Sequence, residues 1–271
     1  MVAEGLQLLH YLNPVPVCEQ TQLNTPVFKS NVSIHRCDTI RLQMSGAAIC
    51  RMAFEGKKAE FIAAVNNDTR VLTTKDEDDR QPLHWACSGS HPEIVEFILA
   101  QQPPVDVNAA DDSGWTPLHI AASVGNEGIV RQLLVKHANP TNTTDSKQTP
   151  LHYAASKNHL PVSKLLLEHG ADANARDNTG ASPLHRAAIK GHTAMCKALI
   201  AGGASVNALD RTKSTALHLA VSEEHGELAV ELITAHRADA SVRNVDEQSA
   251  LDLASARIRA LLLPHLQDGN P

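Results

Sequence analysis

The chain has 271 residues, 42% of them hydrophobic and only 3% aromatic, with a formal net charge of −6. The mild negative charge argues against a general nucleic-acid binder, and no run approaches the roughly 18 apolar residues needed to span a bilayer. Few rings and many Ala, Leu, Ile and Val residues suit closely packed helices better than a β-sandwich. The five cysteines (Cys18, Cys37, Cys50, Cys87, Cys196) are scattered and form no C-x-x-C pair, so they read as reduced thiols.

Residues 1–43 hold Pro14, Pro16 and Pro26 and show no periodicity, so disorder or loose packing is expected there. Glu4 and the lack of an early basic residue argue against a secretory signal. Met44 stands just before the first periodic segment. Either it is the true start or the upstream segment is a real extension, and both readings stay open. From about residue 44 to 75, "AAICRMAFEGKKAEFIAAV" contains two helical segments.

A four-residue phrase then recurs. It reads QPLH ending at His84, TPLH at His119 and His152, SPLH at His185, TALH at His218, and a decayed SALD at Asp252. The intervals are 35, 33, 33, 33 and 34 residues. In all of these but the first, which has Gln81, a Thr or Ser is placed to cap a helix, and in most a Pro sits at its first position, where a missing N–H costs nothing. In the unit beginning near residue 111, Thr116 and Pro117 start a first helix with Leu118, Ala121 and Ala122 on one small-residue face. A second helix carries Ile129, Val130, Leu133 and Leu134 at helical spacing. One unit on, Gly170 stops the second helix, and "ADANARDNTG" supplies Asn, Asp and Gly for a finger-like turn. Unit boundaries fall near 44–75, 76–110, 111–143, 144–176, 177–209, 210–243 and 244–266, with 267–271 as a frayed tail.

A 33-residue period carrying T-P-L-H and A-A resembles the ankyrin-repeat family. That implies an all-α solenoid of about seven helix–turn–helix units with short β-hairpin-like fingers, stacked so that each buries its neighbour's apolar face. It also implies a structural role for His84, His119, His152, His185 and His218, hydrogen-bonding within and between repeats. Their stacked helices would lie roughly 8–10 Å apart, too far to share one metal bound at about 2 Å. No H-E-x-x-H, phosphate loop or nucleophile elbow occurs, so neither catalysis nor a cofactor or metal is expected. Cys87 near His84 reads as core packing.

Generic repeat consensus does not explain His84-Trp85-Ala86-Cys87, Gly114-Trp115, or Tyr153 followed by Ser156-Lys157-Asn158. Those residues are similar to the gankyrin family of proteasome assembly chaperones. The resemblance implies a non-enzymatic protein, monomeric when free, in cytoplasm and nucleus. Its partner would be the C-terminal domain of an ATPase subunit of the proteasome base, held in the concave face, with no nucleic acid or membrane involved. Family contacts carry over to Asp78, Arg80, Asp112 and Lys157. Arg186, Lys190 and Glu223 recur on the same side, and Trp85 and Trp115 serve either a partner or the core. Reversing Arg80 together with Lys157 should abolish binding without changing melting. Animal gankyrins carry an L-x-C-x-E motif associated with the retinoblastoma protein. Here the stretch is Leu219-Ala220-Val221-Ser222-Glu223, without the cysteine, so that interaction is not expected. The competing reading is an ankyrin-repeat adaptor for a signalling, ubiquitin-ligase or transcriptional partner.

Overall fold

The computed structural model describes residues 46–267. The expected extension over 1–43, Met44 and residues 268–271 of the expected tail lie outside the described residues. Among those described, fourteen α-helices alternate as seven pairs. They are α1 (Gly46–Glu55) with α2 (Lys58–Asn67), α3 (Pro82–Ser88) with α4 (Pro92–Leu99), α5 (Pro117–Val124) with α6 (Glu127–Val135), and α7 (Pro150–Ser156) with α8 (Leu160–Glu168). Then follow α9 (Pro183–Ile189) with α10 (Thr193–Ala201), α11 (Ala216–Ser222) with α12 (Gly226–Thr234), and α13 (Ala250–Leu253) with α14 (Ala256–Gln267). The first helices of all seven pairs pack in one row, and the second helices from α4 to α14 pack in another.

The reason for this stacking is written in the side chains. Ala121, Ala122, Ala154, Ala155, Ala187, Ala188 and Ala220 are fully buried on the first helices, where their small size lets neighbouring backbones approach. On α6, Ile129, Val130, Leu133 and Leu134 are buried as their spacing requires. No pair could bury this surface alone, so the interfaces between pairs carry the stability.

Each first helix from α3 to α11 begins with the same hydrogen-bonded cap. In α5, the Thr116 side chain accepts from the His119 N–H, and the Thr116 N–H donates to Nδ1 of His119 at 3.2 Å. With Nδ1 accepting, the ring carries its proton on Nε2, which donates to the Gln148 carbonyl of the next unit at 3.1 Å. His152 and His185 repeat the arrangement toward Ala181 and Ser214, each at 3.1 Å. At the last unit Asp252 takes over only the accepting half, receiving the Ser249 N–H at 2.9 Å. Aspartate suffices there because α13 has no further first helix to serve.

Helix α8 ends as its sequence indicates. Gly170 has φ +87°, and an added Cβ would meet nothing within 4 Å. The cost of a larger residue there is therefore purely conformational. Gly170→Val is expected to lose roughly 1–2 kcal/mol in urea unfolding, and a neutral result would show that the backbone escapes the left-handed region.

Candidate functional site

Between a second helix and the next first helix the chain forms a finger. Six fingers share one geometry, starting at Asp76, Asp111, Thr144, Asp177, Asp210 and Asn244. The N–H of the starting residue donates to the carbonyl four residues on, at 2.9–3.0 Å, closing a hairpin-like turn. No strand forms among the described residues, and one isolated bridge joins Arg243 to Ser249. The starting side chain organises the turn from within. Asp111 accepts from the N–H groups of Ser113 at 3.0 Å and Trp115 at 2.7 Å, and Asp177 from those of Thr179 and Ala181 at 2.8 and 3.1 Å.

Neighbouring fingers are then tied tip to tip. The N–H groups of Asp112, Asp145, Asn178, Arg211 and Val245 donate to the carbonyls of Asp78, Ser113, Ser146, Thr179 and Thr212, at 2.9–3.1 Å. The result is a continuous row of backbone-fixed tips from Asp78 to Val245, beside the row of first helices. Side chains at these tips are held at regular spacing by main-chain bonds, which is what a recognition surface requires.

The sequence-predicted site residues divide into two groups on this scaffold. Asp78, Asp112, Lys157, Lys190 and Glu223 are exposed and make no ion pair among the described residues. Lys157, Lys190 and Glu223 sit at the C-terminal ends of α7, α9 and α11, and Asp78 and Asp112 on fingers. The others are engaged within the protein. Arg80 donates through Nε to Asp111 of the next finger at 2.9 Å, and that carboxylate is 0% exposed. Arg80 also lies 5.5 Å from the Trp85 ring centre, and the Trp85 indole N–H donates to Asp76. Three units further on, Arg186 instead reaches the starting carboxylate of its own finger, Asp177, through Nε at 2.9 Å, as Trp85 reaches Asp76. Burial pushes the Asp177 carboxyl up, but hydrogen bonds from Thr179 and Arg186 outweigh it and hold the group below its ordinary value. Trp115 packs against Tyr153 with ring centres 4.3 Å apart, half-buried beside His119.

This corrects the expectation that Arg80 can be reversed without cost to folding. Its guanidinium neutralises a buried carboxylate, so it joins two repeats whether or not a partner is present. The Leu219–Glu223 stretch belongs to α11 and its margin, with Ala220 and Val221 fully buried.

The repeat histidines are at most 1% exposed. Burial pushes His119 and His152 down to about 4 and lowers His84, His185 and His218 as well, so all are neutral at pH 7. Burial likewise pushes the thiols of Cys50 and Cys196 up to about 12 and raises that of Cys87, which leaves them unionised. Among the described residues no group of three or more His, Cys, Asp or Glu is placed to hold a metal ion, and no helix is long and apolar enough to cross a membrane.

A second histidine row escaped the sequence reading. His91, His159, His192 and His225 each direct Nε2 to a carbonyl near the end of the preceding unit's first helix. The acceptors are Phe54, Ser123, Ser156 and Ile189, at 2.8, 3.0, 3.2 and 3.0 Å. Asn126 fills the equivalent place, donating to the Ser90 hydroxyl at 2.7 Å. At Gly125 a Cβ would fall 2.4 Å from the His159 ring, so the ring seats over a bare backbone. The first row ties each unit to the next at one helix end, and this row ties it to the last at the other.

Comparison with known proteins agrees with this architecture. A family model described as ankyrin repeats (3 copies) matches residues 35–144 and 125–210, and one described as ankyrin repeats (many copies) matches 199–254. The human protein named 26S proteasome non-ATPase regulatory subunit 10 is 45% identical over 74 residues, covering 27% of this chain and 32% of that protein. The Saccharomyces cerevisiae protein named probable 26S proteasome regulatory subunit p28 is 36% identical over 98 residues, 36% of this chain and 43% of that one. The matched stretches thus span less than half the length of either relative. The crystal structure of the ankyrin repeat domain of Bcl-3, a member of the IkappaB protein family, superposes with a TM-score of 0.68 at 26% identity, covering 79% of this chain and 97% of that domain.

Proposed function

The chain belongs to the ankyrin-repeat family, and we propose that within it this protein is an assembly chaperone of the proteasome regulatory particle. As a stack of ankyrin repeats with proteasome regulatory subunits among its relatives, the chain is a protein-binding scaffold. On the proposed reading it is non-catalytic and works in cytoplasm and nucleus. It holds the C-terminal domain of one base ATPase subunit against the fingers and first helices, and releases it before the mature particle works.

One observation supports this most: Asp78, Asp112 and Lys157, matched to the family's contacts, are exposed on rigid elements and unpaired by any ion among the described residues. Charges left free along a fixed surface steer encounter and set register. Arg80 keeps a 31% exposed side chain while paired to Asp111, so it can present its outer edge to the same partner.

The test is a calorimetric titration with the isolated C-terminal domains of the base ATPases. The unchanged chain should bind one of them with one-to-one stoichiometry. Lys157→Glu with Lys190→Glu should weaken that binding at least about ten-fold, or about 1.4 kcal/mol. Lys136, exposed at the C-terminal end of α6, supplies the control, and Lys136→Glu should bind as before. Equal affinity in all three proteins would remove this surface from the interaction.

A further inference from the structure

Each finger contains one residue in the left-handed region, three places after its start. Gly114 (φ 79°) and Gly180 (φ 74°) occupy it in two fingers, where glycine carries no steric cost. The other four hold Asp79, Lys147, Lys213 and Glu247, with φ of 61, 58, 56 and 58°. Glycine evidently meets the geometry, yet in these four fingers a charged residue is kept in a conformation that disfavours it. Strain retained where an easier residue is available points to a use for the side chain.

Lys147 and Lys213 are exposed, and neither has an ion-pair partner among the described residues. They do not stand alone. Lys157 and Lys190 project from first-helix ends between them, and Arg211 is exposed on the same finger as Lys213. Both sides of this stretch are acidic. Glu77, Asp78 and Asp79 are exposed on the first finger, and Asp246 and Glu247 on the last. Exposed positive charge is therefore concentrated over the fourth to sixth units, where Asp145, Glu223 and Glu224 are exposed as well, and the finger tips adjoining it are acidic, at Asp112 on one side and at Asp246 and Glu247 on the other.

We propose that Lys147 and Lys213 are specificity-determining contacts that hold an acidic helical face of the partner across the fourth to sixth units, with the acidic tips on either side fixing its register. This rests on the chaperone reading above and names residues that reading does not. Two stacking steps separate the lysines, about 20 Å, which is about thirteen residues along one partner helix. An acidic face of that length fits this stretch, and a shift by one unit brings its acids against Asp112 in one direction or against Asp246 and Glu247 in the other.

The experiment titrates the bound ATPase domain with three proteins at two salt concentrations. They are the unchanged chain, Lys147→Gly with Lys213→Gly, and Lys147→Arg with Lys213→Arg. Glycine relieves the backbone, so the first variant should melt no lower than the unchanged chain. It should nevertheless bind at least ten-fold more weakly, with a shallower dependence on salt, while the arginine variant keeps its affinity. Stability held or raised while affinity falls is a combination that a purely structural role for these lysines cannot produce. Undiminished binding by the glycine variant, or an equal loss in the arginine variant, overturns this inference alone. Absence of binding by the unchanged chain overturns the chaperone reading and this inference with it.

Discussion

Lowering the pH from 7 to 5 is expected to remove about 4 kcal/mol of folding free energy through His119 and His152 alone. Both imidazoles accept a cap N–H on Nδ1 and donate from Nε2 to the next unit, so protonation would set a donor against a donor. Burial adds to this and brings both down to about 4 from an ordinary 6.5. The sign follows directly. Below pH 6.5 the unfolded chain takes up protons that the folded chain refuses, so stability falls as pH falls, until the folded pKa near 4 is reached. His84, His185 and His218 are displaced the same way and deepen the loss. Carboxylates such as Asp177, held below their ordinary value, contribute only at lower pH, so the window from 6.5 to 5 belongs to the histidines. Urea unfolding at intervals across that window should show a midpoint that drops steadily. A flat profile would mean that the rings are hydrated in solution and that the cap geometry is not maintained.

The second large effect is expected at Arg80. Arg80→Glu places a carboxylate beside the fully buried carboxylate of Asp111, which also orders its own finger through the N–H groups of Ser113 and Trp115. Breaking a buried pair costs about 3–5 kcal/mol. With Arg80 itself 31% exposed, solvent offsets part of this, and a loss of about 2–3 kcal/mol is expected. Lys157→Glu, at an exposed helix end, should stay within about 0.5 kcal/mol of the unchanged chain. Equilibrium unfolding of the two variants side by side separates a charge that ties repeats together from one that is free for a partner. A loss under 1 kcal/mol at Arg80 would return it to the second group.

What could be read from the sequence was whatever lay within one unit. Thr116, Pro117 and His119 fall within four residues, and their capping chemistry is local, so both the helix start and its period were visible. The tip-to-tip row and the Arg80–Asp111 pair link residues about 31 to 34 apart, and nothing in either residue's own neighbourhood announces the other. The histidine row of His91, His159, His192 and His225 did carry a periodic signal, but Asn126 interrupts it and the T-P-L-H phrase drew the alignment elsewhere. The left-handed lysines were hidden for a similar reason. Gly114 and Gly180 mark the turn, while Lys147 and Lys213 at the same place look like ordinary surface charge until their φ angles are known.

The central claim is that the finger and first-helix face takes a base ATPase subunit as its partner. The most direct measurement is capture of the tagged chain from an extract of its own cells, followed by identification of the bound proteins by mass spectrometry. The account predicts one ATPase subunit of the proteasome base, together with early assembly intermediates, and its loss when Lys157 and Lys190 are both changed to Glu. Capture of only a ubiquitin-ligase, signalling or transcriptional protein, with no ATPase subunit, would contradict it.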